Sequence, residues 1–355
     1  MQVLKMMSPE AYQAEGSPIN FNMSDLNFLK DAIKKSNRNR SRICSHSDNS
    51  EELHEMFVIY GRETYVRPNR HFGKDESVFI LEGACDVYFF DLNGYITDII
   101  ELSSLDPQLA YFCRIPKEIF HTVVIKSDKV ILFEATSGPF DPNDTYYSDW
   151  SPEEDNNKAI EKFNLELEQS KTKFKFKTYN PDKYQKINDQ VFASKTNISS
   201  FLSKDHLFLN DQMNTHSLDR VRICSHTSPN EHLHEMLMMF SDTTFIRPSM
   251  HTDKEESLFI LEGTGRYVFF DELGAVTKCV ELSPPSGLGK CYCRIPKNTF
   301  HMLIVDSDKM LVKETTNGPF DKNNTIFPTW APDEATCDGA ADYLRSVESG
   351  IMKIQ

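Results

Sequence analysis

The feature that most constrains this chain is that it repeats itself. The segment RICSH at Arg42 to His46 returns at Arg222 to His226, an offset of 180 residues (226 − 46). At the same spacing LHEM recurs at Leu53 and Leu233, FILEG at Phe79 and Phe259, CRIPK at Cys113 and Cys293, and GPFD at Gly138 and Gly318. The two tryptophans, Trp150 and Trp330, are also one repeat apart, each followed by a Ser/Ala-Pro-acidic-Glu tail. Solenoid repeats run about 20 to 50 residues, so a unit this long must be a whole domain present twice. A chain of 355 residues accommodates two such domains, each with a core of its own.

The spacing places a first domain at residues 1–155, a charged helical connector at 156–180 and a second domain at 181–355. PEAY at Pro9 loosely matches PDKY at Pro181, which puts the boundary before Pro181. Within the connector, AIEKFNLELEQ reads as an amphipathic helix with Ile160, Phe163, Leu165 and Leu167 partly on one face, suited to packing. Short helices are also expected upstream of each RICSH, over Asp25 to Asn37 and Lys204 to Thr215. The rest of each copy reads as all-β: TYVRP, SVFIL, CDVYFFD, ITDIIEL, AYFCRIP, HTVVIKS and KVILFEA are short β-branched or aromatic runs separated by turn material. Asp91 to Gly94, and the counterpart ending in Gly274, have hairpin chemistry, since glycine adopts the positive φ such a turn needs. Evenly spaced short strands with hairpin turns predict a double-sheet jelly roll.

Composition narrows the function. No apolar run approaches the roughly 18 residues that cross a bilayer, and the start MQVLKMMSPEAYQAEG lacks the apolar centre of a secretion signal. A cytoplasmic protein with no membrane partner is therefore expected. The eight cysteines lie mostly in apolar runs such as RIC, YFC and CYC and read as reduced core residues. A net charge of −14 repels a phosphate backbone, which argues against nucleic acid. A small anionic ligand stays compatible, because a few arginines in a pocket outweigh a distant surface charge.

Of eleven histidines, eight fall in repeat-matched pairs: His46 with His226, His54 with His234, His71 with His251, and His121 with His301. His71 stands five residues before Glu76, and His251 five before Glu256. On one straight strand that spacing puts the two side chains on opposite faces, so a turn must intervene for both to reach a common point. A third member, His121 or His301, follows RIP on a later strand that a jelly roll folds back beside the first two. Two imidazoles and a carboxylate form a mixed site for a divalent transition metal (Fe, Mn, Ni or Zn), one per domain, with positions open to substrate or water. The metal-free alternative makes these histidines core or substrate-contacting residues beside a surface glutamate.

These residues resemble the cupin superfamily. Its first motif, His-x-His, three or four residues, Glu, six residues, Gly, is met in its second half by His71, Glu76 and Gly83 and by His251, Glu256 and Gly263. Its second, Pro-x-Gly-x-x-His, is met by Pro116 and His121 and by Pro296 and His301. The leading histidine is replaced by Asn69 and Ser249, and the glycine by Glu118 and Asn298. More narrowly, each copy is similar to the WbuC-type cupin-fold metalloproteins: Arg42 to His46, His54 to Met56, Arg67 to Gly83, Phe90 to Gly94, His121, Glu134 to Phe140 and Trp150 to Glu154 carry that likeness and recur in the second half. The resemblance implies two tandem cupin domains, double-stranded β-helices with short flanking helices. It also implies a metal-dependent bicupin, isomerase- or epimerase-like, acting on a sugar or nucleotide-sugar in surface polysaccharide biosynthesis. An Fe(II)-dependent dioxygenase and a non-catalytic carbohydrate-binding or sensing module are the alternatives. A homo-oligomer is compatible, although an intrachain pair mimics the dimer of single cupins.

Other repeated residues admit two roles each. His46, His54, His226 and His234 are candidates for the missing ligand or for acid–base catalysis, or else hydrogen-bonded core residues. Arg42, Arg67, Arg114, Arg222, Arg247 and Arg294 are candidates for binding an anionic sugar or nucleotide-sugar, or else structural ion-pair partners. Glu134 and Glu314 are candidates for carboxylates that orient an imidazole.

Overall fold

The computed structural model describes residues 2–176, 179–334, 336 and 338–354; Lys177 and Thr178 of the expected connector, and Cys337, lie outside them. In each half the alternating β-branched and aromatic runs form two mainly antiparallel layers folded against each other. The first half stacks Ala11–Glu15, Arg40–Cys44, Leu53–Gly61, Lys129–Ser137, Glu76–Glu82 and Ala110–Ile115 in one sheet. The pairing of Ala110 with Leu102 carries it over into the facing layer, Ile96–Ser103, Ala84–Phe90, Phe120–Ile125, Asn69–His71 and Thr145–Tyr147. The second half has a counterpart for each of these strands, but its other layer divides into Val276–Leu282, Gly265–Phe270 and Phe300–Val305 in one sheet and Met250–His251 with Thr325–Ile326 in another. Alternate side chains fill each barrel: Val78, Ile80, Val87, Phe89, Ile115 and Leu132 in the first, Leu258, Ile260, Tyr267, Phe269, Ile295 and Val312 in the second. This is the jelly roll that the strand spacing predicts, built twice, with Gly94 and Gly274 at φ 85° and 86° in equivalent hairpins. The TYVRP run corrects one expectation: Thr64 to Pro68 is chain outside the sheets rather than a strand.

The repeat reaches further upstream than the similarity of PEAY and PDKY suggests, and in a different register. Ala11–Glu15 runs parallel to Arg40–Cys44 with Ala11 opposite Arg42, while Val191–Ser194 runs parallel to Arg220–Cys224 with Val191 opposite Arg222. Backbone pairing therefore holds the spacing of 180 residues (191 − 11) and matches Pro9 with Asp189 rather than Pro181. Helices form at Met23–Ala32, where Asn22 and Asp25 make a capping box, and at Ser203–His216. The helix Asn157–Lys171 packs Leu167 and Phe163 onto Tyr88, Phe90 and Phe120 of the first barrel. Its Lys171 meets Asp86 at 2.6 Å and Glu101 at 2.8 Å, so it serves as part of that barrel's wall. The equivalent helix of the second barrel, Ala340–Ile354, lays Val347 and Ile351 on Val268 and Phe270. It was not anticipated, although Tyr343, Leu344, Val347 and Ile351 follow a helical period.

The halves exchange strands. Ile19–Phe21 leaves the first half and pairs with Tyr292–Ile295, and Ser199–Leu202 leaves the second and pairs with Ala110–Ile115. An extensive apolar cluster lies between the barrels, with Phe21, Phe57, Phe112, Phe133, Phe201 and Tyr292 in it. The repeat equivalents Phe79 and Phe259 meet there at 4.8 Å between ring centroids.

Buried ion pairs cross the same boundary. Arg294 reaches Glu51 and Glu55 of the first half, and Arg114 reaches Glu231 and Leu233 O of the second. The hydroxyls of Ser257 and Ser77 donate to Glu55 and Glu235 respectively. Two partners break the symmetry. Tyr292 donates to Glu55 at 2.9 Å, and Lys313, with a fully buried side chain, meets Glu235 at 2.6 Å. Phe112 and Phe133 occupy those positions in the first half.

Among the described residues the cysteines outside position 337 are all free, with Cys44 and Cys279 half-buried and the rest buried. No helix among the described residues is long and apolar enough to cross a membrane.

Candidate metal centre

His71 closes the strand Asn69–His71, the turn after it reverses the chain, and Glu76 opens the strand Glu76–Glu82. The intervening turn is what lets residues five apart face one point. His121 lies on Phe120–Ile125, whose backbone pairs with Asn69. The turn before this strand is tied to the histidine strand, since the Glu118 N–H donates to His71 O at 2.6 Å and the Asn298 N–H to His251 O at 2.8 Å. Glu118 and Asn298 have φ 68° and 57°. These are the positions where the cupin motif has glycine, so the left-handed conformation persists without the residue that tolerates it best.

The two triads converge alike. Glu76 Oε2 is 3.4 Å from His71 Nε2 and 3.8 Å from His121 Nε2. Glu256 Oε2 is 3.3 Å from His251 Nε2, and Glu256 Oε1 is 3.2 Å from His301 Nε2. In each triad all three donor atoms lie within 4.8 Å of one another. Metal–donor bonds of about 2.0–2.2 Å place neighbouring donors about 3.0–3.5 Å apart, so these groups need little movement to close on one divalent ion.

The back nitrogens are held as metal ligands require. His121 Nδ1 donates to Ile119 O at 3.0 Å and His301 Nδ1 to Thr299 O at 2.8 Å, which leaves each Nε2 free to accept. His71 Nδ1 and His251 Nδ1 meet the hydroxyls of Thr145 and Thr325 at 3.3 and 3.1 Å. These threonines escaped the sequence reading. Asn69 does not replace the absent histidine: its side-chain amide donates to Arg67 O at 3.0 Å.

Burial pushes the Glu76 carboxyl up, but its bond to His71 and the charge of His121 prevail and bring it down to about 2. Burial is likewise overcome at Glu256, by His301 and His251, and its pKa falls well below the usual range. The imidazoles differ. Burial dominates at His121 and lowers it, whereas Glu256 outweighs burial at His301 and raises it.

Each half also has a cavity whose wall includes a glutamate that feels the triad carboxylate, Glu134 in the first and Glu314 in the second. The second-half cavity, about 290 Å³, is lined by Arg222, His226, His234, Lys254, Glu314 and Thr316 together with apolar residues such as Val191, Met236 and Phe320. The first-half cavity, about 180 Å³, is more polar, with Arg38, Arg40, Arg42, Tyr60 and Glu134 in its wall. Burial, then the neighbouring Glu76 or Glu256 charge, pushes Glu134 and Glu314 up to about 7. Neither bonds to an imidazole among the described residues, so the expectation that they orient one is corrected: they face the cavity.

His46 stacks on His54 with ring centroids 4.1 Å apart, and His226 on His234 at the same distance. Neither pair joins a triad. The backbone N–H groups of Glu55 and Glu235 donate to Nδ1 of His46 and His226 at 3.2 and 3.3 Å. Burial and the stacked neighbour lower His46 to about 4 and His226 to about 2. Nε2 of His54 and of His234 is buried without a hydrogen-bond partner.

Of the six candidate arginines, Arg42 and Arg222 line these two cavities. The guanidinium groups of the other four meet protein acceptors. Arg114 and Arg294 are consumed by the carboxylates between the halves, including Asp75 and Glu255 of their own half. Arg67 binds Glu153 and Ser148 O beside the first tryptophan tail, and Arg247 binds Pro328 O beside the second.

The family profile of a domain of unknown function, DUF6016, matches twice, over residues 21–102 and 209–282, with ends again 180 residues apart (282 − 102). A search of curated proteins finds no match. Among solved structures the chain is similar to salicylate 1,2-dioxygenase from Pseudaminobacter salicylatoxidans, with TM-score 0.60 and 12% identity, covering 87% of this chain and 88% of that one. A variant of that enzyme in complex with gentisate gives TM-score 0.59 and 13% identity, with coverage of 88% and 86%. Oxalate decarboxylase from Bacillus subtilis gives TM-score 0.44 and 14% identity, over 81% and 73%. At this identity the first two establish the fold: all-β, two cupin barrels in tandem.

Proposed function

We propose that this chain is a metal-dependent enzyme with two divalent-metal centres, His71/Glu76/His121 and His251/Glu256/His301, each serving a cavity for a small anionic molecule. The observation that carries the reading is the duplicated convergence of two Nε2 atoms and one carboxylate on a single point. Fe, Mn, Ni or Zn fits the donor set, and when bound it supplies Lewis-acid or redox chemistry at positions the three ligands leave open. The chain's residues do the rest. Arg42 and Arg222 offer planar donors to a carboxylate or phosphate. Glu134 and Glu314 stand in the cavity walls as groups able to exchange a proton with the ligand. The stacked histidines, kept neutral, offer hydrogen bonds rather than charge.

A cavity of about 290 Å³ suits a single ring or short acid better than an entire nucleotide-sugar. A sugar acid is thus the part of the sugar reading compatible with the cavity, and its place in polysaccharide synthesis rests on the resemblance to WbuC-type proteins. The Fe(II)-dependent dioxygenase reading has its own support in the fold shared with an enzyme that binds gentisate.

Protein purified without added metal should carry up to two transition-metal ions per chain by elemental analysis. Glu76→Gln and Glu256→Gln should each lose one. A metal-free chain, or single variants that keep the full content, overturns the proposal. Dioxygen uptake with Fe(II) and salicylate or gentisate separates the two chemistries: uptake selects the dioxygenase, and none across a panel of hydroxylated aromatic acids removes it.

A further inference from the structure

The strand that walls each metal centre reads Val87-Tyr88 in the first half and Tyr267-Val268 in the second. The order of the two residues is inverted. Successive side chains on a strand point to opposite faces, so inversion moves the phenol from one side of the sheet to the other. Tyr88 packs outward with Phe90 and Leu167 beneath the helix, whereas Val87 faces the barrel interior. Tyr267 instead faces the interior of the second barrel, 2% exposed. Its hydroxyl is 3.2 Å from Glu256 Oε1, the same oxygen that lies 3.2 Å from His301 Nε2. Its ring stands edge-on to His301 at 5.9 Å between centroids.

We propose that Tyr267 supplies a phenolic oxygen as fourth protein ligand at the second centre, while Val87 leaves the first with three. The inference rests on the metal reading of the triads and adds that the centres differ in kind. The hydroxyl's distance from the carboxylate matches that of adjacent donors around an ion with arms of about 2.1 Å. The first centre therefore keeps more positions for an external ligand. On binding ferric iron the phenol releases its proton to solvent and the oxygen bonds to the metal, with no change of oxidation state.

The full chain is loaded with Fe(II) without dioxygen, oxidised to Fe(III) with ferricyanide, and read by visible absorption and iron content. Wild type should show a phenolate-to-iron charge-transfer band. The band should persist in Glu76→Gln and vanish in Glu256→Gln and in Tyr267→Phe. Tyr267→Phe should also weaken metal binding at the second centre by about 10–100-fold in a competition titration, without affecting the first. Restoring the mirror order in the first half, Val87→Tyr with Tyr88→Val, should add a second band. Two irons bound with no tyrosine-dependent band, and with unchanged affinity in Tyr267→Phe, would overturn the ligand role while sparing the triads. No iron at either centre would sink the metal reading and this inference together.

Discussion

The first centre sets Glu76 at 3.4 and 3.8 Å from its imidazoles, while the second draws Glu256 to 3.3 and 3.2 Å and adds a tyrosine hydroxyl. The triad residues are of the same kind in both halves, so the difference comes from the wall behind them. The tighter contact is why His301 is raised and His121 lowered although both are buried. The cavities differ as well: Arg38, Arg40 and Arg42, in and just before the strand Arg40–Cys44, crowd the first, and apolar side chains such as Ile187 and Val191 line the second. Duplication has kept the two His/Glu/His triads and altered their surroundings.

The comparison can be pushed until it breaks. The largest effect is expected between the barrels, where Lys313 pairs with Glu235 and its counterpart is Phe133. Lys313→Met leaves a buried carboxylate short of a partner and should cost about 3–5 kcal/mol in chemical denaturation. A loss below about 1 kcal/mol would mean that Arg114 and Ser77 suffice for Glu235, as the first-half pattern without a lysine would suggest.

Next come the stacked histidines. Below pH 6.5 the unfolded chain protonates them while the folded rings stay neutral, so each costs the folded state about 1.4 kcal/mol per pH unit. That loss of stability on acidification ends near pH 4 for His46 but continues toward about 2 for His226. Replacing His226 with Gln should therefore flatten the fall in stability between pH 6.5 and 4.5 by about 2–3 kcal/mol. Parallel curves for variant and wild type would show that the ring is not held neutral.

A smaller change is expected from Tyr292→Phe, which recreates the Phe112 arrangement and removes one bond to Glu55. It should cost about 1.5–2 kcal/mol, measured as a shift in denaturation midpoint with unchanged slope. Smallest is relief of the left-handed turns. Glu118→Gly should stabilise the chain by about 1 kcal/mol and Asn298→Gly by less, because asparagine tolerates that conformation better than glutamate. Equal gains would remove this distinction between the halves.

The triads were legible because their spacing is local on one side, five residues from His71 to Glu76, and duplicated on the other. For Arg114 the motif names a residue without naming its face. Strand parity supplies the face: Cys113 and Ile115 point into the barrel, so Arg114 between them points out, toward the other half. Tyr267 is found by the same parity, once its place on the strand is set against Val87. The exchanged strands were not legible at all. Segments as short as Ile19–Phe21 and Ser199–Leu202 carry no sign of their partner, and the pairing is decided by which sheet edge lies near once the barrels dock.

That exchange bears on how the molecule survives damage. A protease cut in the stretch joining the halves would release two pieces, each still clasping a ribbon that completes the other's sheet. The nicked protein should stay assembled and unfold in one step, and separately produced pieces should find each other on mixing by fragment complementation.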